Sequence, residues 1–137
     1  MRATNIDNQA RLDLDLLKSR VNANAALVHR GRWVNLEFTL GVGATDYLVG
    51  VSAGKITDIA VRQLQTKSGV FSIRASRASW DLHWQAVPPR DYHDIFAMLA
   101  KGLAQIDGRL EPLMRNLQYF KDLIASLRQR DRGDHGG

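Results

Sequence analysis

The sequence predicts an α+β domain of two layers, a mainly antiparallel five-stranded sheet covered on one face by helices. Three observations predict it. The hydrophobic period switches from helical to alternating near Trp33, and back to helical after Ala75. Glycine turns separate the alternating segments, and strands joined by tight turns pair as an antiparallel meander. Helical segments then follow in a block, which packs on one face of such a sheet.

Residues 8–29 read as a helix. Leu14, Leu17, Val21, Ala25 and Val28 recur at three- and four-residue steps, while Arg11, Asp13, Asp15, Lys18 and Arg20 form a solvated side. Asn22, Asn24 and His29 weaken its end. From Trp33 to Leu40 the residues Val34, Leu36, Phe38 and Leu40 alternate with Asn35, Glu37 and Thr39, the pattern of a half-buried strand. Gly41-Val42-Gly43 reads as a turn, and residues 45–53 as a second strand with Tyr47, Val49 and Val51 on one side. Ala53-Gly54-Lys55 turns into a less regular third strand, Ile56–Val61. A loop at Thr66–Gly69 leads to a fourth, Val70–Ala75, with Phe71 and Ile73 facing one way.

Ser79 is then the expected N-cap of a short helix holding Trp80 and Trp84 one turn apart. After Pro88-Pro89, Asp91 is the expected cap of a helix with Ile95, Phe96, Leu99 and Leu103 in one stripe. Ala104–Gly108 is short enough to be an edge strand. The last helix, over 110–127, carries Leu110, Leu113, Leu117, Phe120, Ile124 and Leu127 at alternating three- and four-residue steps, widened by Met114 and Leu123. From Gln129 onward no apolar anchor remains, so 129–137 is expected to be a disordered tail on a single domain covering 1–128.

Composition narrows the function. The chain has no cysteine, which rules out disulfides and thiolate metal sites and suits a reducing, cytoplasmic setting. No apolar run approaches the roughly 20 residues that span a bilayer. The start lacks a signal peptide's layout, because Asn5, Asp7, Asn8 and Gln9 interrupt it. The net charge of +5 is spread thinly: up to Ser68 there are 9 basic and 6 acidic residues, after it 10 and 8. Without a basic stripe, nucleic acid is not an expected partner, whereas transient contact with an anionic membrane is compatible with the charge.

No motif for a cofactor, metal or nucleophile is present. His29, His83, His93 and His135 show no ligand spacing and read as surface or half-buried side chains. Gly41-Val42-Gly43 opens no helix, so it is not a dinucleotide fingerprint. Asp81, Asp91 and Asp94 suit helix N-caps and first turns, the simpler account beside acid–base work. What remains is an apolar surplus on the helices over the sheet. Periodicity alone reads it as core.

The order of elements and the local text from Trp33 to about Leu117 resemble the sterol-carrier-protein, or non-specific lipid-transfer, domain. The resemblance rests on Arg32-Trp33-Val34-Asn35-Leu36-Glu37-Phe38, on Tyr47–Ile59 with its glycine-lysine turn, and on Val70–Ala75 running into Ser79-Trp80-Asp81-Leu82. Gly102 and Ile106-Asp107-Gly108 match the family's last strand. The helix after Pro88-Pro89 reads as longer than the family's usual one, and residues 59–69 as more polar.

The resemblance implies an apolar tunnel between sheet and helices for a sterol, fatty acid or fatty acyl-CoA, with no cofactor and no catalysis. Trp80, Trp84, Phe96, Leu99, Leu113, Leu117 and Phe120 are the residues expected to line it, and 110–127 is expected to move as its lid. Two alternatives remain. One is an accessory subunit or homodimer whose leucine stripe docks a partner over a self-filled core. The other is a small enzyme for a hydrophobic substrate using Asp81, Asp94 or His93.

Overall fold

The computed structural model describes residues 2–62 and 69–129, with side chains from residue 13 onward. Two helices come first, α1 (Arg2–Ala23) and α2 (Ala25–Arg30). Three strands follow, β1 (Asn35–Val42), β2 (Thr45–Ser52) and β3 (Lys55–Val61), and then β4 (Phe71–Ala75). After it come α3 (Arg77–His83), α4 (Ile95–Ala100), β5 (Ala104–Gly108), α5 (Glu111–Arg115) and α6 (Leu117–Ala125). The expected loop at 66–68 and the expected tail at 130–137 lie outside the described residues.

The sheet has five strands in the order β3-β2-β1-β4-β5. Its pairs are antiparallel except β1–β4, which is parallel. This corrects the meander. The first two connections are tight: Gly43 carries a positive φ after β1, and Ala53 and Gly54 both do after β2. Such turns force antiparallel neighbours. The chain from Arg62 to Val70 is longer, reaching roughly 30 Å if extended. Three strand spacings need only about 14 Å, so β4 is free to pass β2 and pair with the far side of β1.

Register places one apolar set on the covered face. Leu36, Phe38 and Leu40 stand opposite Val51, Val49 and Tyr47, and Leu40 stands beside Ile73. Phe38, Leu40, Val49, Phe71 and Ile73 are fully buried. The third strand is irregular because its register shifts opposite Gly50/Val51, leaving Ile56 opposite Val51 and Ile59 opposite Val49 on the inner side. The outer face is polar. There Asp46 bridges Arg62 (3.1 Å) and Arg74 (3.2 Å), and the Arg74 side chain lies where a side chain on Gly41 would have to go.

The helices depart from expectation where polar residues interrupt a stripe. α1 begins at Arg2 and stops at Ala23, because the Asn24 side chain accepts from Leu27 N–H (3.1 Å) and caps a second helix. Asn22 turns inward instead: its amide donates to Ile56 O (2.9 Å) and accepts from Ile56 N–H (2.8 Å). Leu14, Leu17 and Val21 are buried as expected. Ser76, not Ser79, caps α3, its hydroxyl accepting from Ser79 N–H (3.0 Å). Asp94, not Asp91, caps α4, accepting from Phe96 N–H (2.7 Å), so this helix is short and not long. The last helix is two, because Asn116 (φ −121, ψ 37) leaves the helical region between α5 and α6.

Candidate functional site

The interior between sheet and helices is the place where the expected site residues fall. Trp80 on α3 and Trp84 at its C-cap stack at 5.1 Å with their rings 14° apart. Each indole N–H is held: Trp80 donates to Gly41 O on β1 (2.8 Å), and Trp84 donates to Ile124 O on α6 (2.9 Å). The pair therefore bridges sheet and last helix. Buried indoles need such partners, since an unpaired N–H in an apolar interior costs about 1–3 kcal/mol.

Phe120 sits beside a second aromatic group. Its ring is edge-on to Phe38 (5.5 Å), Phe71 (5.1 Å) and Tyr119 (5.2 Å), and Phe38 and Phe71 stack at 5.3 Å. Leu113 on α5 is buried with them in the core. The other three expected residues lie further out. Phe96 and Leu117 are half-buried against the core, and Leu99 is 38% exposed. Phe96 also lies under the Lys121 ammonium, 5.4 Å from its ring centre. Met98 is fully buried and Met114 is 52% exposed on α5.

Thus the structure brings together Trp80 with Trp84, and Phe120 with residues not expected at the site: Phe38, Phe71 and Tyr119. The first two were legible as inward positions of alternating strands. Tyr119 lies off the leucine stripe and had no such signal. Its hydroxyl donates to Gly54 O (2.7 Å), and burial pushes its pKa up. Clefts open on the described surface away from these residues. One, of about 510 Å³, is lined by residues including Arg74, Ser76, Ser79 and Gln105. Another, of about 440 Å³, lies between Arg20 and Arg128. Neither is lined by any of the seven expected residues.

Two of the candidate acids have structural partners. Asp81 pairs with Arg77 one turn earlier (3.0 Å). Asp94 pairs with Lys121 (2.8 Å). Burial works to raise the Asp94 carboxyl, but the Lys121 and Phe96 hydrogen bonds outweigh it and hold the group below the usual carboxylate value. His93 is exposed. His83 is the unexpected one, 2% exposed and edge-on to Trp80 at 5.7 Å. Its Nδ1 lies 2.6 Å from Tyr92 O, which makes Nδ1 the protonated nitrogen. Its buried Nε2 has no hydrogen-bond partner among the described residues. Burial is the main reason that its pKa falls below the ordinary 6.5. Among the described residues no cluster of His, Asp or Glu is arranged to hold a metal ion. No helix of the described residues is long and apolar enough to cross a membrane.

No protein-family model matches the chain, and no curated protein matches it by sequence. Solved structures do match. The chain is similar to sterol carrier protein 2, with a TM-score of 0.68 at 14% identity over 88% of this chain and 96% of that one. It is similar to a conserved hypothetical protein from Thermus thermophilus, with a TM-score of 0.56 at 13% identity over 80% and 82%. It also resembles a UbiJ-SCP2 ubiquinone synthesis protein, with a TM-score of 0.54 at 15% identity over 82% and 90%. Helix block, mixed five-stranded sheet and closing helices together give this chain the fold of sterol carrier protein 2.

Proposed function

We propose that this chain binds and carries an apolar ligand, a sterol, fatty acid or fatty acyl-CoA, between its sheet and helices, and performs no chemistry on it. The observation that carries this reading is the shared fold, which extends over nearly the whole length of sterol carrier protein 2. The proposed contacts are Trp80, Trp84, Phe96, Leu99, Leu113, Leu117 and Phe120, within one domain over 1–128 and in a cytoplasmic setting that suits a chain without cysteine.

Access for a ligand requires a movable part, and the break at Asn116 suggests a smaller one than the whole of 110–127. α5 has no side-chain cap at its start, where Leu110 is exposed; it exposes Met114, buries Leu113, and is held at its end by the Asn116 amide donating to Pro112 O (3.0 Å). Lifting it uncovers Leu113 and Leu117 and leaves α6 in place. A ligand burying about 300 Å² of apolar surface would gain roughly 7 kcal/mol before the costs of opening and ordering.

Displacement of a fluorescent fatty acid by unlabelled lipids tests the proposal. Saturable one-to-one binding, weakened by Leu117→Asp and by Leu99→Asp, is the expected result. An interior that ignores every sterol, fatty acid and acyl-CoA tried, in a protein that carries no small molecule through gentle purification, overturns it.

A further inference from the structure

One end of the molecule carries a feature that neither the core nor the proposed ligand site uses. Trp33 is 81% exposed, while the other two tryptophans are buried. It does not dangle. The turn that displays it is closed by Arg32 N–H donating to His29 O (3.2 Å) and Val34 N–H donating to Gly31 O (2.8 Å). Gly31 packs against the Tyr119 ring so closely that no side chain would fit there. The β2–β3 hairpin locks onto the same turn through Gly54 N–H to Val34 O (3.4 Å) and Ala53 N–H to Asn35 Oδ1 (2.9 Å).

The charges around this indole have one sign in excess. The Arg32 guanidinium lies 5.5 Å from the Trp33 ring centre. Lys55 is exposed on the neighbouring hairpin. Arg30 is bridged to Asp122, but neither Arg32 nor Lys55 has a carboxylate partner among the described residues. An exposed indole beside cations that no carboxylate among the described residues neutralises has the chemistry of a membrane-interface anchor; the Arg32 guanidinium itself donates to the backbone at His29 O (2.7 Å). The amphipathic ring settles at headgroup depth, and the cations are attracted to an anionic leaflet. A preset turn loses little conformational freedom on docking.

We propose that this end, with Trp33 at its apex and Arg32 and Lys55 beside it, is a docking surface for anionic lipid bilayers. The contact is weak and reversible, since two cations and one ring fall short of a stable anchor. It does not depend on what the interior binds.

Co-sedimentation of the full chain with vesicles of phosphatidylcholine alone, or of phosphatidylcholine and phosphatidylserine at three to one, tests it. The chain should pellet with the anionic vesicles, less with the neutral ones, and less as salt rises. Arg32→Gln or Lys55→Gln should each weaken partition about fivefold. Trp33→Ala should weaken it tenfold or more, taking roughly 25 cal/mol per Å² for the exposed ring. These are surface positions, so each variant should keep the wild-type circular dichroism spectrum. Brominated acyl chains should quench the wild-type fluorescence, and Trp33→Phe should abolish that quenching, because Trp80 and Trp84 stay shielded. Equal pelleting of wild type and Trp33→Ala, no pelleting with anionic vesicles, or a dimer that Trp33→Ala dissolves would each overturn the proposal.

Discussion

Removing the Phe120 ring measures how tightly the interior is filled. The side chain is fully buried and meets three other rings edge-on between 5.1 and 5.5 Å. Truncating a buried phenylalanine to alanine costs about 3–5 kcal/mol. Edge-to-face pairs add about 0.5–1.5 kcal/mol each beyond burial, which places Phe120→Ala near the top of that range. A domain of this size has about 5–15 kcal/mol in total, so the melting temperature should fall by roughly 10–20 °C. Urea unfolding followed by tryptophan fluorescence reads the change, because Trp80 and Trp84 report on the interior against a constant background from Trp33. The midpoint should drop with the slope unchanged. Phe120→Leu keeps most of the volume and should lose only about 1–2 kcal/mol, giving a readout if the alanine variant does not fold. A loss below about 1.5 kcal/mol for Phe120→Ala would refute the reasoning, since a ring already facing open space leaves no new cavity when removed.

Asn22→Ala removes both hydrogen bonds to Ile56. A cost of about 1–3 kcal/mol is expected, with faster hydrogen exchange at the Ile56 amide; unchanged exchange would contradict the pairing. Ala53 holds a left-handed φ of 51 beside Gly54, so Ala53→Gly should raise stability by about 0.5–1 kcal/mol in thermal melts. His83 has its pKa lowered chiefly by burial. As pH falls below the ordinary 6.5, the unfolded chain gains a proton that the folded chain resists, so stability declines. His83→Asn, which keeps a donor for Tyr92 O, should flatten that decline; an identical acid limb in both proteins would remove His83 as its source.

The parts of the fold legible in the sequence are those where one periodicity runs unbroken between local signals. β1 and β2 alternate cleanly in sequence; in β2 the inward residues are the buried ones, whereas in β1 the outward Thr39 and Gly41 are buried along with Phe38, Leu40 and Val42. The position of β4 was not legible, because nothing local distinguishes a strand that pairs with β3 from one that crosses to β1. The breaks at Asn24 and Asn116 were hidden by apolar residues that continue in phase on either side, and only the backbone at Asn116 and the Asn24 cap expose them. Within the candidate site, Trp80 and Trp84 were legible as a pair because helical spacing fixes them one turn apart. The partners of Phe120 on β1 and β4 come from strands far away in sequence. The exposure of Leu99 reflects an α4 too short to carry its stripe across the sheet.

The asparagine bonded to Ile56 also bears on how copies of this chain meet. A sheet grows when the outermost strand offers unused N–H and C=O groups to a stranger. Here Asn22 occupies both groups of Ile56, and Lys18 donates to Thr57 O (3.2 Å). The first helix acts as a stopper at the start of β3, where a recruited strand would have to displace Asn22 and Lys18. If the chain forms a homodimer, extending its sheet at the start of β3 would break these bonds first.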